Sequence, residues 1–428
     1  MLLSATLPRK VRKTLVDAFL DGLGARGVAL AQQDYPLATL ASAGGLSETP
    51  CAPREGLPRT VSVTRAADEA AALERIVAAA EAGAAVAWVR NTVDDAIAAA
   101  AALRERGVEP LLFHARFAMA DRLAIEREVM RRFGKAPCID RPGVLVAPQV
   151  VEQSLDLDFD LLVTDLAPAD LLIQRAGRLW RHARDARPVP GPGPGPGPGP
   201  GPGPEMVVVS PEPVEDPPAD WVRLTVYRDP ALLWRTAREV FRRGAITTPG
   251  DLRELIEAVA EGEVPRAMAR AAEQAEGKAM SAGGIAAQNV LKFRDGYRRD
   301  AGLWDRDTRT PTRLEERPQV VLRLAVERDG KVAPYAEDPD PDRAWALSEV
   351  SVAEDRVAAC PVPAGLEAAV EAARAGWGRW ERESPRHVLA LMRSDGRDFM
   401  LAAETEAGEP SPAAYDASLG LRWRRDGT

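Results

Sequence analysis

Ala84-Ala85-Val86-Ala87-Trp88-Val89 and Val144-Leu145-Val146-Ala147 are apolar runs of strand length without polar alternation. A strand that is apolar on both faces belongs inside a sheet covered on both sides. Working outward, Thr60–Val63, Leu111–Phe113, Leu161–Thr164 and Met206–Val209 read as further strands. Between them Ala66–Ala82, Val93–Arg106, Met119–Phe133 and Leu171–His182 read as helices, two of them closed by Gly107 and Gly134. Strands separated by helices of this length predict an α/β fold with a parallel sheet. Ligands of such sheets sit at the carboxyl ends of the strands.

The chain has 428 residues, enough for two or three domains. Its net charge of −8 excludes a globally basic nucleic-acid coat but not a local basic groove. With 46% hydrophobic and 28% charged residues the composition is globular. No apolar run is long enough to span a membrane, and the N-terminal apolar stretch is too short for a signal peptide. Cys51, Cys138 and Cys360 form no paired motif, which fits a cytoplasmic location, and three histidines argue against a multi-histidine metal centre. Pro190 and seven Gly-Pro pairs, Gly191–Pro204, have a period of two, which excludes collagen and, with every second amide missing, both helix and sheet. Met206–Val209 resumes as a strand, so the tract is an insertion within a domain. Beyond residue 210 the texture changes. Ala231–Arg243, Pro249–Glu261, Pro265–Tyr297 and Ala364–Trp377 read as helices, and Gln319–Val326 alternates as a strand.

The chemistry concentrates in two segments. The first is Val144-Leu145-Val146-Ala147-Pro148-Gln149-Val150-Val151-Glu152-Gln153-Ser154-Leu155-Asp156-Leu157-Asp158. The second is Gln174-Arg175-Ala176-Gly177-Arg178-Leu179-Trp180-Arg181-His182. Arginines recur at 175, 178, 181, 184 and 187 against a single acid, Asp185. On a continuous helix that spacing makes one positive strip. Guanidinium groups placed at a nucleotide stabilise the charge of phosphoryl transfer.

These segments resemble motifs V and VI of superfamily 2 helicases, and their wider wording is similar to the CRISPR-associated helicase–nuclease of type I systems. Leu3-Ser4-Ala5-Thr6-Leu7-Pro8 resembles motif III, and Asn91-Thr92-Val93 the motif IV region. His114-Ala115-Arg116-Phe117, with Asp121, Arg122 and Glu126, resembles the family's His-x-Arg-Phe segment. The likeness runs over residues 1 to about 210. Beyond it only loose echoes remain, such as Tyr415 and Gly420-Leu421.

The resemblance implies a RecA-like parallel sheet over residues 31–210, carrying the insertion 190–204. An inter-domain remnant with motif III would precede it over 1–30, and a mixed α+β accessory domain would follow over 211–428. Arg178 and Arg181 are implied as catalytic, and Gln174, Asp156 and Gly177 as ATP-binding. Ser4 and Thr6 are implied to couple ATP state to strand grip. Asn91, Thr92, Arg116 and Gln149 are implied as DNA contacts, and no metal ligand is implied. Pro148 departs from the family, which has Thr there; a proline offers a phosphate neither hydroxyl nor amide.

The sequence contains no Gly-x-x-x-x-Gly-Lys-[Ser/Thr] phosphate loop. Asp68-Glu69 imitates an Asp-Glu box but lies in an Ala/Glu helix, and the family's His-Asp nuclease module is missing. The expectation is therefore the C-terminal half of a helicase. ATP and Mg²⁺ would be bound only with a partner first RecA-like domain, and not by this chain alone. Implied partners are single-stranded DNA, a crRNA-guided surveillance complex and a separately encoded N-terminal helicase/nuclease half, with no membrane. The parent activity implied is ATP-driven 3′-to-5′ translocation on single-stranded DNA in CRISPR interference. The alternatives are a non-catalytic module binding DNA or the surveillance complex, and an inactive remnant of a split gene. His114, beside Phe113 and Phe117, reads as a packing residue, and His182 as much a helix cap as a nucleotide contact. Trp234, Trp304, Trp377 and Trp380 read as core, and Arg9-Lys10-Arg12-Lys13 as a solvated helix face.

Overall fold

The computed structural model describes residues 2–4, 6–25, 29–53, 59–136, 141–149, 155–184, 187–188, 203–289, 318–396 and 398–424. The motif residues Glu152, Gln153 and Ser154, Cys138, Trp304 and nearly all of the Gly-Pro tract lie outside the described residues. The chain divides into two compact units. One combines Met1–Leu111 with Glu128–Glu273, and the other combines Leu112–Arg127 with Gln274–Thr428.

The first unit opens with α1 (Arg9–Gly22) and a hairpin of β1 (Leu37–Ser42) and β2 (Gly45–Pro50). Then β3 (Arg59–Ala66), α2 (Glu69–Glu81), β4 (Ala85–Val89), α3 (Val93–Glu105), β5 (Leu111–Leu112) and α4 (Met119–Phe133) alternate as the apolar spacing predicts, Leu112 and α4 up to Arg127 counting with the other unit. They are followed by β6 (Gly143–Ala147), β7 (Leu161–Asp165), α5 (Ala169–Ala176), β8 (Glu205–Val209), α6 (Pro230–Arg243), β9 (Ala245–Thr248), α7 (Leu252–Glu261) and the start of α8 (Ala269–Asn289), which from Gln274 on belongs to the other unit. The sheet order is β5-β6-β4-β7-β8-β3-β9. β4 pairs in parallel with β6 and β7, and β8 in parallel with β7 and β3. β9 is antiparallel to β3 and lies on its outer edge.

All five residues of β4 are buried, as an interior strand requires. The helices are capped from the sequence. The Asp68 carboxylate accepts from the Ala71 amide, so the apparent Asp-Glu box is a helix start. Thr92 caps α3, with Asp94 and Asp95 in its first turn. Asp229 and Pro230 start α6, and Gly244 ends it at φ 64°. The unit runs on to Glu273. β9 adds a seventh strand, and α6 and α7 pack on each other, α6 also against β3 and β9. The hairpin of β1 and β2 and the short β9 had no distinct sequence signal.

The second unit contains β10 (Gln319–Arg328), β11 (Lys331–Pro334), α9 (Pro341–Leu347), β12 (Glu349–Ala353), α10 (Glu367–Ala375), α11 (Arg379–Glu383), β13 (His387–Ser394), β14 (Phe399–Leu401), β15 (Ala413–Asp416) and β16 (Gly420–Trp423). Its sheet runs β11-β10-β13-β14-β15-β16, with β12 also on β10. One face buries Val320, Leu322, Leu324, Ala390, Tyr415 and Leu421 together with Ala118, from the Leu112–Arg127 segment. The other packs Trp345 edge-on against Trp377 at 5.5 Å. The tryptophans are thus mostly core, as read; Trp380, 45% exposed, is the exception.

Candidate functional site

The two motif segments meet through their backbones. The Phe159 amide donates to the Arg178 carbonyl at 3.0 Å, and the Phe159 carbonyl accepts from the Trp180 amide at 3.0 Å. This short parallel bridge stops α5 at Ala176. Leu171–His182 is therefore not one helix, and the arginine spacing does not make one strip. Trp180 sits at φ 47°, an uncommon region for a bulky residue, so the chain reverses hand between Arg178 and Arg181. Arg59 on β3 donates to the carbonyls of Gly177 and Leu179, at 3.1 and 2.6 Å. A cation there answers the carbonyls left open at a helix C-terminus.

In the Asp156-Leu157-Asp158-Phe159-Asp160 run Asp156 is accessible and the four residues after it are buried. Leu157 and Phe159 are fully buried in the core, and Asp158 and Asp160 are 0% and 4% exposed. Asp158 accepts from the Arg181 amide at 2.8 Å, Arg184 Nε at 2.8 Å and Arg187 Nη2 at 3.0 Å. Asp160 accepts from the Ala85 amide at 2.9 Å, Arg141 Nη1 at 2.7 Å and Arg187 Nη1 at 2.9 Å. Arg184 and Arg187 are thus interior counter-ions rather than a surface strip. Arg175 is 1% exposed and donates to Thr164, to the Asp165 carbonyl at 3.2 Å and to Tyr227. Buried charges persist only when paired in this way.

What remains accessible is a smaller set. The side chains of Asp156 and Arg181 are 43% and 41% exposed, and Arg181 Nε donates to Asp156 Oδ1. His182 Nε2 lies 3.3 Å from the same oxygen. Partial burial pushes the Asp156 carboxyl up. The hydrogen bond from Arg181 and the charges of Arg181, His182 and Arg178 outweigh it, so its pKa lies below the ordinary aspartate value. Gln174 and Arg178 are half-buried beside them in sequence. Gly177 ends α5, and a β-carbon there would stand 3.0 Å from the Gln174 carbonyl. The arrangement is an exposed carboxylate surrounded by cationic side chains on a rigid backbone. Among the described residues no group of three or more His, Cys, Asp or Glu could hold a metal ion.

The expected DNA contacts lie elsewhere. At the carboxyl ends of β4, β7 and β8 is a cavity of about 220 Å³, lined in part by Glu69, Arg90, Asn91, Asp165, Arg223 and Tyr227. Arg90, 2% exposed, is held by Asp165 at 3.1 Å and by Glu69 at 2.5 Å, and stacks on Trp88. Burial holds the Asp165 carboxyl above its ordinary range despite Arg90. The Asn91 amide donates to Asp165 at 2.7 Å and its side-chain NH₂ to the Leu166 carbonyl at 3.0 Å. Its Oδ1 is a buried acceptor without a partner. An acceptor does not suit a phosphate. The Thr92 hydroxyl donates to Asp95 Oδ2 at 2.6 Å and accepts from the Asp95 amide at 3.0 Å. Gln149 Nε2 donates to the Tyr227 hydroxyl at 2.7 Å.

Asn91 thus donates into the strand ends and Thr92 caps a helix. Gln149 spends one amide hydrogen on Tyr227. Tyr227, Arg90 and Asp165 organise this end of the sheet, and sequence reading missed them because none stands in a motif. Arg116 belongs to the second unit. Ser4 and Thr6 form an exposed turn ahead of α1, the Ser4 hydroxyl accepting from the Thr6 amide at 3.2 Å.

A parallel sheet of this order is a RecA-like fold, here followed by a C-terminal domain. Residues 82–184 match the family model described as CRISPR-associated nuclease/helicase Cas3, C-terminal. The chain is similar to the CRISPR-associated endonuclease/helicase Cas3 of Escherichia coli (strain K12), 41% identical over 199 residues, 44% of this chain and 22% of that protein. A crystal structure of a CRISPR-associated protein superposes on 99% of this chain and 47% of its own, with 26% identity and TM-score 0.71. That of T. fusca Cas3-AMPPNP superposes on 97% and 50%, with 21% identity and TM-score 0.69. The likeness is thus to the C-terminal part of Cas3 proteins, in sequence over residues 82–184 and in fold over nearly the whole chain. It spans about half the length of these solved relatives. Among the described residues no helix is long and apolar enough to cross a membrane.

Proposed function

We propose that the chain supplies the second RecA-like half of an ATP-dependent motor that moves on single-stranded DNA in CRISPR interference. The first half, with its phosphate loop, Asp-Glu box and bound Mg²⁺, would come from a partner domain, since this sequence contains no such loop. Recruitment would be by a crRNA-guided surveillance complex. The observation that carries the reading is the division within the motifs. Asp158, Asp160, Arg175, Arg184 and Arg187 are consumed inside the fold. Asp156 and Arg181 stay half-exposed next to Arg178.

In this reading Asp156 holds Arg181 in place while no nucleotide is present. ATP brought by the first half presents phosphate oxygens that compete with Asp156 for the guanidinium. Arg178 and Arg181 then stabilise the charge that develops on the transferred phosphoryl group, an effect of about a thousandfold or more. Gln174 lies one turn before Arg178 and would contact the same nucleotide. Gly177 contributes by ending the helix there. The turn at Ser4 and Thr6 would couple nucleotide state to strand grip. DNA would be held through its phosphates, so binding is salt-sensitive and sequence-blind. Of the implied DNA contacts, Arg116 brings the charge.

The test is ATP hydrolysis, with and without single-stranded DNA, by this chain, by a matching first RecA-like half, and by the two mixed. DNA-stimulated turnover only in the mixture is expected. Silence of the mixture, with both parts folded, overturns the motor and leaves a binding module or a remnant, which DNA affinity then separates.

A further inference from the structure

We propose that the C-terminal unit sets the position of Arg116, with Gly420, Leu421 and Tyr415 as positioning residues. The inference rests on the reading of Arg116 as a contact to a DNA phosphate. The segment Leu112–Arg127 lies within the second unit, and the turn His114–Ala118 is fastened along its whole length. The His114 ring is fully buried and stacks on Phe117, centroids 4.3 Å apart at 15°. Its Nδ1 accepts from the Arg116 amide at 3.1 Å. Nε2 then carries the ring proton and donates to the Leu419 carbonyl at 3.1 Å.

The Arg116 carbonyl accepts from the Leu421 amide at 2.8 Å. Both backbone polar groups of Arg116 are therefore fixed, one by its own turn and one by β16. At the far end the buried Tyr415 hydroxyl accepts from the Ala118 amide at 3.0 Å and donates to Asp121. Asp121 also accepts from Tyr335 at 3.0 Å.

Gly420 makes the approach possible. It sits at φ +69°, and a β-carbon there would stand 2.7 Å from the Arg116 carbonyl and 2.7 Å from His114 Cε1. Both backbone angle and space demand glycine. A long cationic side chain loses rotamer freedom on binding a phosphate, so a fixed base under it raises the net gain. The Gly420-Leu421 and Tyr415 echoes, which sequence reading left unassigned, are the residues that supply that base.

The test titrates a labelled mixed-sequence single-stranded oligonucleotide into the full chain at one low salt concentration. Compared are the parent, Arg116→Ala, Gly420→Ala, Tyr415→Phe and each of the latter two combined with Arg116→Ala. Arg116→Ala should weaken binding about five- to tenfold, as loss of one good phosphate contact does. Gly420→Ala should weaken it comparably, and the double variant should be no weaker than Arg116→Ala alone. Should Gly420→Ala not fold, Tyr415→Phe, which removes one hydroxyl, carries the same comparison. Parent-like binding by Arg116→Ala sinks the DNA reading of that residue. A loss in Arg116→Ala with none in Gly420→Ala or Tyr415→Phe, or with fully additive losses, sinks the positioning inference instead.

Discussion

Phe159 and Arg178 are joined amide to carbonyl at 3.0 Å, and the return bond from the Trp180 amide to the Phe159 carbonyl has the same length. These two bonds make one backbone unit of segments that lie some twenty residues apart in sequence. Side chains on either side of the bridge, Asp156 before it and Arg181 after it, meet because of it. α5 ends at Ala176, and the reversal of hand at Trp180 keeps Arg181 from following the helical spacing of Arg175.

Charge in the motifs divides between structure and site, and stability should register the division. Asp158→Ala leaves Arg184 without its anion and Arg187 with Asp160 alone, and should cost about 3–5 kcal/mol. Asp156→Ala removes a half-exposed pair and should cost less than about 1 kcal/mol. Denaturant unfolding of the two variants measures this. Equal losses would mean that Asp156 is as structural as Asp158.

Asp156 should titrate below an ordinary aspartate, because Arg181, His182 and Arg178 outweigh its partial burial. The folded value lies below the unfolded one. Any stability from these contacts is therefore complete above about pH 4 and is lost as pH falls through the depressed midpoint. Carbon-detected NMR of the carboxyl should show the low midpoint, and Arg181→Ala should move it up. An unchanged midpoint in that variant contradicts the pairing.

Thr92→Ala should destabilise the chain by about 1 kcal/mol through loss of the α3 cap, whereas Thr92→Ser should be near neutral. Neither should change affinity for single-stranded DNA, since the hydroxyl is already engaged by Asp95. A loss of affinity without a loss of stability would show Thr92 acting as a DNA contact rather than only as a cap.

The parallel sheet was legible because its strands are apolar on both faces and are separated by helices of the right length, two of them closed by Gly107 and Gly134. The motif residues were legible as a set. Their division was not, since three-residue arginine spacing predicts a strip only if the helix continues. α5 stops at Ala176, where a long-range bridge to Phe159 takes over, and no local signal marks that bridge. The assignment of Leu112–Arg127 to the second unit was equally hidden. That segment's His114 ring bonds to the Leu419 carbonyl, 305 residues further along, a partner that no local signal marks. Arg90, Asp165 and Tyr227 illustrate the same limit: each is ordinary in sequence and becomes organising through partners far away in the chain.

The central claim is that Arg178 acts on a nucleotide held by a partner half, and single-turnover ATP hydrolysis in the mixed system tests it most directly. Arg178→Ala should reduce the rate about a thousandfold, the usual order for an arginine finger, with single-stranded DNA affinity unchanged. Hydrolysis at the parent rate in that variant, or an equal loss of turnover and DNA binding, would contradict it.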